Sequence, residues 1–192
     1  MIDFVKNTIE ASIRVKEDVL SDEPLLQAVE SSAKAFIATF QSGGKVLFCG
    51  NGGSAADAQH LAAELSGRFY RDREPLFAEA LHVNSSYVTA VANDYGYDHV
   101  FSRMVKAAGR PGDVLVAIST SGNSPNILNA VESAKAIGMT VIGMSGSTGG
   151  KMKALCDILI NVPSTDTPRI QEAHILIGHI LCALVEQSLF KA

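Results

Sequence analysis

The chain has 192 residues, 47% hydrophobic and 19% charged, proportions that suit one compact globular unit with a sizeable core. Its 16 Lys and Arg against 20 Asp and Glu give a formal charge of -4; the basic residues are dispersed, and no basic stripe is available to a nucleic-acid backbone. Cys49, Cys156 and Cys182 are odd in number, widely spaced and set among apolar residues, so they read as core fillers, not as a disulfide framework or a thiolate metal site.

The chain opens with two helical patterns. Phe4, Val5, Ile9, Ile13 and Val19 mark the first; Leu25, Val29, Ala33, Phe36 and Phe40 mark the second, which Gly43 and Gly44 end. The first segment mixes charges into its apolar positions and shows neither a signal-peptide core nor a cleavage site. No apolar run reaches membrane-spanning length, so a cytoplasmic protein without a membrane partner is expected.

Five short apolar runs follow, at 46–49, 77–83, 114–118, 140–144 and 158–162, with helical stretches between them. Val-, Ile- and Leu-rich runs joined by segments long enough for crossovers predict a parallel sheet covered on both faces. The fold class is therefore α/β, a three-layer α/β/α sandwich with five parallel strands. A last helix over 168–190 is apolar on most sides, from Ile170 through Ile177 and Leu181 to Leu189, and such a helix has to be buried. A chain this short can hardly enclose it, so this helix and the first two are expected to make oligomer contacts. The expected organisation is one unit: terminal helices over 1–42, an α/β core over 45–163 and a C-terminal helix over 167–190, with no repeat or linker.

In open α/β sheets ligands bind outside the carboxyl ends of the strands. After the first strand comes Cys49-Gly50-Asn51-Gly52-Gly53-Ser54, a Gly-rich turn running into a helix that begins near Ser54. Free N–H groups at a helix start favour an anion such as a phosphate. Gly50, Gly52 and Ala55 also fit a dinucleotide fingerprint, but the next strand ends at His82, Val83 and Asn84 with no acidic residue for a ribose. A P-loop lysine is absent too, and a tight turn without a ligand is the plain alternative. After the third strand comes Ser119-Thr120-Ser121-Gly122-Asn123-Ser124, where four hydroxyls converge before the next helix and Ser124 is placed as its N-cap. Alone it reads as an ordinary capped loop; two such loops after two strands of one sheet point to a phosphorylated ligand.

His60 and Glu64 stand four residues apart on the helix opened by the first loop, with Arg68 one turn further along the same face. A His/Glu pair at this spacing can be a surface ion pair, a metal half-site or an acid/base set. Its position below an anion-binding helix start favours the last two.

The segments GNGGSAADAQHLAAELSGRF, VANDYGYDHVFSR, GDVLVAISTSGNSPNI and DTPRIQEAHILIGHI together resemble the sedoheptulose 7-phosphate isomerases of the SIS (sugar isomerase) group, over nearly the whole chain. STSGNS alone marks only the wider group, whose non-catalytic, phosphosugar-binding regulatory members are the alternative. The resemblance implies a flavodoxin-like SIS domain, a homotetramer packed through terminal helices, and conversion of sedoheptulose 7-phosphate to D-glycero-D-manno-heptose 7-phosphate for bacterial lipopolysaccharide. It implies a phosphosugar site of Asn51, Gly52, Gly53, Asn93, Asp94, Ser119, Thr120, Ser121, Ser124 and Gln171, with Glu64 also touching substrate. The implied metal is zinc, one ion per subunit, on His60, Glu64, Gln171 and His179. Gln171 and His179 are eight residues apart, about 12 Å of helix rise, so they can share an ion only if both side chains lean inward or the helix is irregular there. The pair Glu64 and His179 is the expected acid/base set for removing a proton from C1 and returning one to C2 through an enediol. Asp166 and Arg68 are further candidates for holding substrate hydroxyls, whereas His174 reads as a core histidine.

Overall fold

Strands form where the aliphatic runs lie. In this computed structural model, which describes residues 1–190, they are β1 (Val46–Gly50), β2 (Ala78–Ala80), β3 (Val114–Ile118), β4 (Thr140–Ser145) and β5 (Ile158–Asn161). They pair in the order β2-β1-β3-β4-β5, and every pairing is parallel. β1 and β3 are buried at every residue, which is why their sequences are unbroken apolar runs and do not alternate. β2 is shorter than the run at 77–83 predicts. It is an edge strand with β1 as its one neighbour; after Ala80 the chain turns, Val83 N donating to Ala80 O, and Phe77 and Val83 are left exposed.

The two faces of the sheet bury different sets of side chains. Val46, Phe48, Val114, Val116 and Ile142 point to one side, Leu47, Cys49, Leu115, Ala117 and Val141 to the other, the period-2 alternation of a pleated strand. The first side is covered by α2 (Glu23–Gln41), α3 (Gly53–Ser66) and α7 (Thr167–Leu189), the second by α4 (Ser85–Tyr95), α5 (Val100–Ala108) and α6 (Pro125–Ile137). The three layers are thus as expected, but the second and last helices are themselves one of them. Ile170, Ala173, Ile177, Leu181 and Val185 make one stripe of α7 that lies on the sheet side. α7 also runs close to α3, because residue 178 has no side chain: a Cβ there would stand 2.5 Å from the Leu61 methyls. What stays outside is α1 (Ile2–Ser21), which buries only Val19 and leaves Phe4 75% and Ile9 55% exposed.

Cys49 and Cys182 are buried and Cys156 half-buried, and all three are free thiols. Burial pushes Cys156 and Cys182 up to about 12 and Cys49 higher still, so none carries a reactive thiolate at neutral pH.

Candidate active site

The strand order places β1 and β3 side by side while their crossovers leave in opposite directions, and the crevice at this switch point lies above their carboxyl ends. Asn51, Gly52 and Gly53 form one wall and Ser119, Thr120 and Ser124 the other; Thr167 and Gln171 of α7 close a cavity of about 310 Å³. The walls are tied together by a reciprocal amide pair, Asn51 Nδ2 donating to Asn126 Oδ1 at 2.9 Å and Asn126 Nδ2 to Asn51 Oδ1 at 2.8 Å. Ser124 is the N-cap residue of α6, as its position implies, but its hydroxyl makes no capping bond and meets Ser119 Oγ at 3.1 Å. Ser121 is exposed and lines a neighbouring cavity with Thr148 and Ser164. Asn93 and Asp94, at the end of α4, are exposed and bonded to one another at 2.9 Å, and neither lines the cleft. Arg68 and Asp166 are exposed as well.

Further along α3 and α7 a second group forms. His60 Nε2 is 3.0 Å from Glu64 Oε1 and 3.4 Å from His179 Nε2. One ligand atom from each of the three lies within 4.8 Å of the others. Ligand atoms about 2.0 to 2.1 Å from a tetrahedral ion stand about 3.3 Å apart, so these spacings fit a divalent metal with little adjustment. A cation also resolves the crowding of two imidazole nitrogens and a carboxylate oxygen, since one N–H on His60 can serve only one of its two neighbours. Gln171 stands apart from this group. Its Nε2 would be 2.5 Å from a Cβ at Gly53, which puts the amide in the cleft. Of the four residues implied as a metal set, three are therefore gathered as they stand.

The local sequence explains the placement. His60 and Glu64 share a face of α3 by their spacing, and Asp57, three residues before His60, belongs to the same face. Asp57 is half-buried, its Oδ2 has no hydrogen-bond partner, and burial pushes its carboxyl up to about 6 against the opposing pull of His60. Reading the sequence passed over Asp57 although its spacing was visible. Phe69, whose ring stacks on His179 at 5.4 Å and 24°, sits in a loop and gave no periodic signal.

His174 is a core histidine, fully buried, with Nε2 donating to Ser145 O at 3.2 Å and Nδ1 unpartnered. Burial lowers its pKa to about 4 in spite of that hydrogen bond. Between its ordinary value of 6.5 and about 4 the unfolded chain binds a proton that the folded chain refuses, so stability falls as pH drops through this window. The loss should reach about 2 kcal/mol by pH 5. Urea unfolding of wild type and His174→Gln at pH 7 and pH 5 checks it. The variant should lose much less stability over that interval, while equal losses would contradict the assignment. The comparison cancels Asp57, whose raised carboxyl acts in the opposite sense.

Comparison with known proteins follows the same lines. The SIS domain pattern matches residues 9–146. A phosphoheptose isomerase of Aneurinibacillus thermoaerophilus is 54% identical over 191 residues, covering 100% of this chain and 96% of that protein. One from Rhodospirillum rubrum is 60% identical over 162 residues, covering 84% and 86%. Among solved structures, the phosphoheptose isomerase of Neisseria gonorrhoeae superposes with a TM-score of 0.91 at 45% identity, covering 96% of this chain and 98% of that one. Hydroxyl-walled cleft, His/Glu/His group and full-length similarity agree: the chain belongs to the SIS-domain family and, within it, to the phosphoheptose isomerases.

Proposed function

We propose that the protein is an aldose–ketose isomerase converting sedoheptulose 7-phosphate to D-glycero-D-manno-heptose 7-phosphate, in the cytoplasm, for bacterial heptose and lipopolysaccharide synthesis. One observation carries this reading. The helices that close the cleft, α3 and α7, also bring His60, Glu64 and His179 together two turns further along. Seven residues of α3 separate Gly53 in the cleft from His60, a rise of about 10 Å, comparable with the reach of a seven-carbon chain carrying a terminal phosphate. A phosphate held at one end thus sets C1 and C2 at the other.

In this reading backbone N–H groups of Gly52 and Gly53 with the hydroxyls of Ser119, Thr120 and Ser124 hold the phosphate, Ser121 joining them on the resemblance alone, while Asn51 keeps the two walls in register and Gln171 meets the sugar hydroxyls. The part of Asn93 and Asp94 draws on the resemblance alone. Glu64 and His179 are the acid/base pair: one removes a proton from C1 of the open-chain ketose, and a proton returns to C2 of the enediol. Zinc, one ion per chain, is the proposed occupant of His60, Glu64 and His179; the part of Gln171 as a fourth ligand draws on the resemblance alone, since its amide lies against Gly53. Bound there, zinc supplies a Lewis acid for the carbonyl. A protein that only binds a phosphosugar has no use for the paired Glu64 and His179, which disfavours the regulatory alternative.

Incubating the pure protein with sedoheptulose 7-phosphate and following anomeric protons by NMR tests the function. An aldose phosphate signal is expected, and binding without turnover would favour the regulatory alternative. Neither loop contains a Lys or Arg, which supports assigning the phosphate to hydroxyls and N–H groups. Ser119→Ala and Ser124→Ala should each raise KM by about 10-fold with kcat within about 3-fold, the pattern for loss of uniform binding. Unchanged KM in both would sink this assignment.

The proposed partner is more of the same chain, as a homotetramer. Phe4, Ile9 and Ile13 on α1 and Leu176 and Ile180 on α7 are exposed, an apolar surface that a second copy would cover. Leu184 packs against the chain's own core, so a charge there would test folding and not the contact. Ile9→Glu with Ile13→Glu should lower the oligomer mass measured by light scattering; a monomeric wild type would overturn the proposal.

A further inference from the structure

The loop between α3 and β2 is held by a buried ion pair that the acid/base scheme does not use. Glu186 lies seven residues after His179 on α7 and is 1% exposed. Its Oε1 accepts from Phe69 N at 3.0 Å and Arg73 Nε at 3.1 Å, and its Oε2 from Tyr70 N at 2.9 Å and Arg71 N at 3.2 Å. Arg73, just as buried, turns its other donors onto carbonyls that α3 leaves open at its C-terminus: Glu64 O at 2.9 Å, Leu65 O at 2.7 Å and, just beyond, Gly67 O at 3.1 Å. Both ends of this network reach the reaction's side chains. Arg73 bonds the backbone of Glu64 itself, and the loop that Glu186 gathers carries Phe69 onto the His179 ring.

A buried ion pair adds little net stability compared with apolar residues of the same volume, because desolvation offsets the attraction. Its strength is geometric. A planar guanidinium and a carboxylate that bond each other and direct their remaining bonds at backbone permit one arrangement of loop 67–74, and so one registry of the end of α3 against the end of α7. The geometry points to Arg73 and Glu186 as positioning residues for the isomerisation: they set the separation of Glu64 and His179 and orient the His179 ring through Phe69. The inference rests on the reading of Glu64 and His179 as the acid/base pair. Displacing a reacting group by about 1 Å can cost about 100-fold in rate.

Glu186→Gln keeps the shape but gives up half of the acceptors, and Phe69→Leu removes only the ring on His179. Assayed with sedoheptulose 7-phosphate, Glu186→Gln should lose about 10- to 100-fold in kcat and Phe69→Leu about 10-fold, with KM within about 3-fold, since the phosphate cleft is elsewhere. Phe69→Tyr should restore the rate. A second readout needs no turnover: the His179 ring protons, shifted in the NMR spectrum by the stacked Phe69 ring, should move in the same direction in Glu186→Gln and Phe69→Leu. A merely structural pair would lower the melting temperature and leave kcat of the folded enzyme and the His179 signals as in wild type, which overturns the proposal. If Glu186→Gln does not fold, Phe69→Leu decides alone, and wild-type kcat there overturns it equally. A wild-type protein without turnover would instead sink the isomerase reading, so the two failures are told apart.

Discussion

Glu64→Gln and His179→Gln should each lower kcat on sedoheptulose 7-phosphate by about 10² to 10⁴-fold, the range associated with general acid/base assistance. Both side chains stand in the group of ligand atoms within 4.8 Å, about 10 Å of helix from the cleft that holds the phosphate in the proposed pose. Substrate affinity measured by calorimetry should therefore fall far less than turnover. Because the two residues act on one proton's path, the double variant should be hardly slower than the worse single one, as for groups that work as a unit. Losses that multiply would show that they serve separate steps. Retention of more than about a tenth of kcat in either single variant would remove that residue from the acid/base role.

Removal of metal should have an effect of similar size. Protein purified without chelator should contain about one divalent ion per chain by elemental analysis, and exhaustive chelation should reduce activity by more than about 100-fold, with recovery on adding zinc. The basis is the spacing of His60 Nε2 at 3.0 Å from Glu64 Oε1 and 3.4 Å from His179 Nε2. His60→Ala should lower the metal content without touching either wall of the cleft, so phosphate binding should survive it. Fully active metal-free protein would refute the metal assignment and leave Glu64 and His179 as an unaided pair.

The sequence by itself determined those features that depend on near neighbours along the chain. Unbroken apolar runs rich in β-branched residues, such as Val114 to Ile118, read as strands buried on both faces, and that argues a parallel sheet between two helical layers, as found. Gly-rich and Ser-rich loops after two strands, and His60 with Glu64 one helical turn apart, were visible as spacing in the text of the chain. The tertiary structure decided everything that joins distant segments. That α7 is a layer of the sandwich, not an external arm, follows from which stripe of an almost uniformly apolar helix meets the sheet, and periodicity cannot choose among equivalent stripes. His179 reaches His60 because Gly178 lets α7 approach Leu61 so closely, a contact between residues over a hundred positions apart. Gln171 falls in the cleft and not beside the histidines because eight residues of straight helix carry it about 12 Å away. Arg73 and Glu186 look like two ordinary surface charges in the sequence. Only packing, which removes both from water and leaves them each other and the loop backbone as partners, makes them a clamp.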